Sequence, residues 1–156
     1  MAIRQELVEE LRNRRILALA GGGVEKMQKR HARGLLSARE RVEQLFDSGS
    51  FSEFGMHVNH ACHMPDFADK FMPGDGVVCG TGNVDGRPVA IYSHDFTVGG
   101  GALGQMHAKK ISDIMTIACE TGIPVVAIND SGGARIQEAI HSLSGYGKVF
   151  YQNVAA

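Results

Sequence analysis

Tryptophan is absent from this sequence, and aromatic residues make up only 6% of it. With so few flat rings, base stacking has little to work with, and nucleic acid is not an expected partner. An excess of charge is also missing. The formal net charge is -1, so no global field draws the chain to a polyanion or a membrane surface. No apolar run approaches the roughly 20 residues needed to span a bilayer. Arg4, Glu6, Glu9 and Glu10 stand near the start with no apolar segment behind them, which reads against a secretory signal. Three cysteines, Cys62, Cys79 and Cys119, are too few and too scattered for a disulfide framework. A reducing compartment, such as a bacterial cytoplasm, is expected.

What is present is ordinary globular material: 156 residues, 44% hydrophobic and 21% charged. That length buries a substantial core. The 20 glycines cluster, and the clusters carry most of the information. Ile3, Leu7, Val8 and Leu11 mark one face of a helix from residue 3 to Leu19, stopped by Gly21-Gly22-Gly23. The basic segment EKMQKRHARG follows. Ser37, three residues before Glu40, reads as a capping box that opens a second helix with Val42, Leu45 and Phe46 inward. Residues 1–50 are therefore read as an N-terminal helical segment, and 51–156 as the first part of a larger α/β domain.

Phe51 to Val58 reads as a strand, followed by the irregular NHACHMPDFADKFMPGDG. VVCGTGNV and RPVAIYSHDF flank Asp85-Gly86, the signature of a tight hairpin. A helix is expected from Ala102 to Glu120, with Leu103, Ile111, Ile114, Met115 and Ala118 inward and Gly122 ending it. IPVVAIN is a buried strand by its β-branched content. A short helix near Arg135 to Ile140 and a last one from about Tyr146 complete the pattern. The chain stops within that helical pattern, with no capping signal after it, and is expected to be truncated.

Three segments suggest chemistry. His57, His60, Cys62 and His63 are zinc-ligand types within seven positions. Their order fits no paired-ligand spacing, and a solvated loop is the favoured reading, with no metal expected. Gly99, Gly101 and Gly104 match a dinucleotide fingerprint, with Asp130 where a ribose-binding acid belongs. Here the first strand emerges from a hairpin and Asp130 leads at once into another glycine turn, so a close helix start is preferred over cofactor binding. The third segment is AINDSGGARIQE. A strand ends, and Ser131-Gly132-Gly133-Ala134 leads into a helix. Unpaired N–H groups at such a turn favour a negative oxygen, and glycines let a ligand approach the backbone. This is how an oxyanion hole for a thioester enolate is built. A plain capped turn, held by Asp130 and Ser131 bonding to its backbone, accounts for the residues equally well.

KRHARGLLSARERVEQLFD, PGDGVVCGTG, HDFTVGGGALG and INDSGGARIQE occur together and in this order. They resemble the N-terminal half of the carboxyltransferase β subunit of biotin-dependent acyl-CoA carboxylases, of the propionyl-CoA carboxylase β kind. The resemblance runs from about residue 25 to 156; the NHACHM loop departs from the family's form. It implies a crotonase-like spiral of strand-strand-helix units, preceded here by two N-terminal helices. It implies transfer of a carboxyl group from carboxybiotin, carried on a partner carrier or biotin carboxylase subunit, to the α-carbon of an acyl-CoA. It places Gly133 and Ala134 as enolate-stabilising donors, with Ser131, Gly132 and Arg135 toward the substrate. A second oxyanion peptide and a biotin-receiving half belong to the family beyond this segment, and a homo-oligomer is implied. A decarboxylase, a transcarboxylase or a non-catalytic assembly piece fits the same motifs. The basic run Lys26 to Arg33 is read as a CoA phosphate contact or a solvated face.

Overall fold

A computed structural model describes residues 4–156. Four strands form one sheet in the order β1 (Ser52–Phe54), β2 (Val77–Val84), β3 (Arg87–His94), β4 (Val125–Ile128). The first three are antiparallel, and β4 joins β3 in parallel, from Ala90 opposite Val125 to Ser93 opposite Ile128. The β2–β3 hairpin turns on Asp85 and Gly86, with φ of 49° and 74°. Both central residues have the positive φ that a tight hairpin of matching twist requires. The Asp47 carboxylate accepts both of their N–H groups, at 3.1 and 2.9 Å.

The strands alternate as a sheet buried on both faces must. Val77, Cys79, Ala90 and Tyr92 pack on α4 (Gln105–Thr121) and α5 (Ile140–Ala155). Val78, Val89 and Ile91 pack on Ala38, Val42 and Phe46 of α3 (Ala38–Leu45) and its C-cap. The result is three layers, helix, sheet and helix pair. α3 opens with the expected capping box: Ser37 Oγ accepts the Glu40 N–H at 3.1 Å, and Glu40 accepts the Ser37 N–H at 2.6 Å. Leu103, Ile111, Ile114, Met115 and Ala118 are all buried, as their spacing predicts.

Other expectations are corrected. The N-terminal part holds three helices rather than two: α1 (Gln5–Leu19), α2 (Val24–His31) and α3. The basic segment is a helix of its own, because its charges lie along one exposed side while Arg30 alone turns inward. The predicted apolar face of α1 is not buried. Leu7 and Leu11 are exposed, Ala18 is the helix's buried residue, and Ile3 lies outside the described residues. β1 ends at Phe54 rather than Val58, because Gly55 turns at φ 67° against the Lys110 stem. α4 begins at Gln105 rather than Ala102, since Ala102 and Leu103 stay extended and Leu103 bridges to Ala134. The helix near Arg135 is a single 3-10 turn, Ile136–Glu138, and α5 starts at Ile140. Ser142 and Gly145, poor helix formers, hid that early start. They sit there because α5 lies close to α4: a Cβ on Gly145 would meet the Ala108 methyl at 2.6 Å.

No helix among the described residues is long and apolar enough to cross a membrane.

Candidate functional site

β3 and β4 end side by side, and each chain continues into a glycine turn. The carboxyl ends of parallel strands are where open α/β sheets place their ligands. The first turn spans Thr97 to Gly101 and the second Asp130 to Ala134. They are locked together: Gly132 donates its N–H to the Gly100 carbonyl at 2.9 Å, and Leu103 donates to the Gly133 carbonyl at 2.9 Å. Arg135 N–H returns to the Leu103 carbonyl at 3.0 Å. A Cβ on Gly101 would run into the Asp130 carbonyl, so only glycine lets the two turns approach.

The second turn offers a short row of backbone donors. Gly133 N–H is held by its neighbour's hydroxyl, Ser131 Oγ, at 3.1 Å. Ala134 N–H has no acceptor among the described residues. Ser131 and Gly132 are exposed, and Gly133 and Ala134 half-buried. Gly132 is informative because nothing among the described residues demands a glycine there. Its φ is not positive, and the nearest atom to an added Cβ is the Gly100 carbonyl oxygen at 3.6 Å, ordinary contact distance. Gly133 has φ 101° with open space around it.

Arg135 points the other way. It is 2% exposed, and its guanidinium binds Asp75 at 2.5 Å, Glu138 at 2.8 Å and the Ala102 carbonyl at 2.8 Å. The two carboxylates then reach the start of α4. Asp75 accepts the His107 N–H at 2.7 Å, and Glu138 accepts the Gln105 N–H at 2.5 Å. Negative groups are favoured there by the helix dipole and the unpaired N–H groups. Arg135 thus ties the second turn, through two acids, to the helix that follows the first. Burial pushes the Asp75 carboxyl up against the opposing pull of Arg135.

Three more buried bases complete this floor. Lys110 donates to the Gly74 and Val77 carbonyls at 2.8 and 2.5 Å, and burial lowers its pKa. His94 and His107 meet edge to face with ring centres 4.7 Å apart. Burial holds His94 down at about 4 and His107 well below the ordinary range.

On the outer side, Asp130 does not bond to the turn's backbone as the sequence suggested. Its Oδ2 receives Arg30 of α2 and, at 2.7 Å, Arg41 of α3. Beside them lies a cavity of about 300 Å³ lined by Lys26, Lys29, Arg30, Arg33, Phe96 and Gly100. Gly22 anchors α2's approach by donating to Thr97 Oγ1 at 2.9 Å.

The structure therefore brings Ser131, Gly132, Gly133 and Ala134 together on one open turn, and separates from them the Arg135 side chain. It also removes the footing of the dinucleotide reading. Two carboxylates already cap α4, where a pyrophosphate would have to sit, and two arginines already hold Asp130. In the histidine loop, His60 Nε2 lies 2.6 Å from the Lys70 carbonyl and Cys62 Sγ 3.3 Å from that of Gln137. No three metal-ligand side chains converge among the described residues. Sequence reasoning missed Asp75, His107, Lys110 and Glu138. For His107 and Lys110 a signal existed: both share the helical spacing of Leu103, Ile111 and Ile114, which places them on the buried face.

Residues 29–156 match the family model for the carboxyl transferase domain. The propionyl-CoA carboxylase beta chain of Cereibacter sphaeroides is 51% identical over 152 residues, covering 97% of this chain and 30% of that one. The methylmalonyl-CoA decarboxylase subunit alpha of Veillonella parvula is 49% identical over 156 residues, covering 100% and 31%. Among solved structures, transcarboxylase 12S, a hexamer with methylmalonyl-coenzyme A and methylmalonic acid bound, superposes with a TM-score of 0.94. It is 44% identical, over 99% of this chain and 31% of that one. The chain thus spans less than a third of the length of these relatives, and it has the crotonase-like α/β fold expected from its motifs.

Proposed function

The chain belongs to the carboxyl transferase domain family, and from that premise we propose that its glycine turn binds an acyl-CoA thioester for carboxyl transfer at the α-carbon. The observation that carries this reading is Gly132: a bare residue that no contact or backbone angle among the described residues explains, beside an Ala134 N–H left without an acceptor among them. An approaching thioester oxygen supplies both reasons. Ala134 is the principal donor and Gly133 the second, once Ser131 Oγ yields its N–H. As the α-proton leaves, negative charge grows on that oxygen, and donors already fixed in place stabilise it without reorganising. The locking bonds to Gly100 and Leu103 do the fixing.

The implied co-substrate, carboxybiotin on a partner carrier domain, brings the activated carboxyl group. The space above Gly133, where an added Cβ meets nothing within 4 Å, leaves room for it beside the thioester. The α-proton would pass to the biotin urea nitrogen once carboxybiotin had given up its carboxyl group as CO2, which would then add to the α-carbon. No protein base is assigned, since His94 and His107 are buried and burial makes both weak bases. The basic cavity lined by Lys26, Lys29 and Arg33 is assigned to the phosphates of the CoA end, which its cations suit. Arg135 is assigned to positioning the turn rather than to the substrate. Exposed apolar side chains on and before α5, Ile136, Ile140, Leu143 and Phe150 among them, are assigned to contacts with further protein, including other copies of the subunit.

A second reading runs the same site as a biotin-dependent decarboxylase or transcarboxylase, and the similarity to methylmalonyl-CoA decarboxylase favours keeping it. Both readings are tested by calorimetric titration with propionyl-CoA, with NAD in parallel. Binding of the CoA ester alone is expected; binding of NAD alone would overturn both. Carbon dioxide release from methylmalonyl-CoA in the assembled enzyme then separates the directions.

A further inference from the structure

The Asp130 carboxylate stands immediately before the bare turn, and its placement is unusual. It is the meeting point of three elements: the end of β4, Arg30 from α2 and Arg41 from α3. Both guanidinium groups are largely buried, at 7% and 19% side-chain exposure. Arg30 is oriented further by donating through Nε to the Leu36 carbonyl at 2.6 Å. The Asp130 carbonyl lies against Gly101, so the residue is fixed from its backbone as well. Burial pushes its carboxyl up, but the hydrogen bonds from Arg41 and Arg30 outweigh that and keep it ionised. Among the described residues, no other side-chain hydrogen bond ties the N-terminal helices to the second turn. Arg30 also lines the basic cavity, where its charge is neutralised by Asp130 while Arg33 is left free of any ion pair among the described residues.

We propose that Asp130 is a positioning residue for carboxyl transfer: gripped by Arg30 and Arg41, it sets the angle at which Gly133 and Ala134 present their N–H groups, and it withholds Arg30 from the CoA-binding cavity. This rests on the thioester reading of the turn. It makes the N-terminal helices a working part of the site rather than an appendage. It also predicts an effect that loss of structure alone does not produce. Replacing the carboxylate loosens the turn and slows chemistry, yet releases a cation into the cavity and leaves the CoA ester bound as well as before or better.

The test is Asp130→Asn in the assembled carboxyltransferase, with propionyl-CoA as substrate. Turnover should fall roughly tenfold to a hundredfold, the penalty typical of slightly misplaced groups, while KM for the CoA ester stays level or drops. Arg41→Met should reproduce the loss of turnover, and Arg41→Lys, which keeps a cation on the carboxylate, should restore most of it. The Asp130→Asn/Arg41→Met pair should be little worse than either single change, as residues acting as one unit are. Unchanged turnover, or turnover and affinity falling together with the thermal midpoint, would overturn the proposal. Amide resonances of Gly132, Gly133 and Ala134 in the chain itself give an independent reading. They should shift in Asp130→Asn while the Asp85-Gly86 hairpin stays put; unmoved turn amides would refute the positioning role. If the wild-type enzyme does not carboxylate propionyl-CoA, the thioester reading fails, and those amides still decide whether Asp130 sets the turn.

Discussion

Gly99 and Gly101 of the first turn are walled in, whereas Gly132 and Gly133 of the second have room around them; Gly100 between the first pair is also open, and its φ of 67° accounts for it. A Cβ on Gly101 would strike the Asp130 carbonyl, and one on Gly99 would strike the Met72 side chain. One on Gly132 would rest at ordinary contact distance, and one on Gly133 would touch nothing. The two runs look alike in sequence, but in one Gly99 and Gly101 are glycine so that the protein can approach itself. In the other, Gly133 is required by its φ of 101°, and Gly132 is left as the glycine that lets something else approach the protein. A fingerprint built on glycine spacing cannot separate these cases; what surrounds each missing side chain can.

The contrast has a floor that both turns share, and breaking the floor should have the largest effect. Arg135→Met leaves Asp75 and Glu138 buried without their cation, and removing one member of a buried ion pair costs about 3–5 kcal/mol. Urea denaturation should show that loss, and a change within about 0.5 kcal/mol, the range of an ordinary surface substitution, would mean the network is not structural. Next comes the walled turn itself. Gly101→Ala forces a side chain against backbone at φ 61° and should cost about 1–3 kcal/mol by overpacking, with the same assay as the check.

The paired histidines under the turns make stability depend on pH. His94 has a folded pKa near 4 against an ordinary 6.5, so the unfolded chain binds the proton first. Stability is full above the ordinary value and declines as pH falls toward 4. His94→Phe should flatten that acid slope of the denaturation midpoint; an unchanged slope would assign it to other groups. The smallest effect on stability belongs to the open turn. Gly132→Ala should change the midpoint by less than about 0.5 kcal/mol yet weaken propionyl-CoA binding clearly. Equal losses of stability at Gly101 and Gly132 would erase the contrast.

Much of this architecture is legible in the sequence where its causes are local. The Ser37–Glu40 capping box, the Asp85-Gly86 hairpin and the inward face of α4 each depend on residues a few positions apart. The open turn at Ser131–Ala134 is legible for the same reason. The direction of the Arg135 side chain is not, because its partner Asp75 lies 60 residues away and nothing local distinguishes a buried arginine from one facing substrate. Asp130 reads as a turn-holding acid until Arg30 and Arg41 arrive from two other helices. The apolar residues of α1 mislead differently: Leu7 and Leu11 have helical spacing but are exposed, with no buried packing surface among the described residues.

The central claim is that the Ala134 N–H is left free for a thioester oxygen. The most direct test is the amide spectrum of the chain during titration with propionyl-CoA. The account predicts that the Ala134 amide moves downfield as it gains an acceptor, with Gly133 following and Ile111 unmoved as the core control. Saturable binding that leaves Ala134 and Gly133 in place would contradict it, and would put the acyl group elsewhere on the molecule.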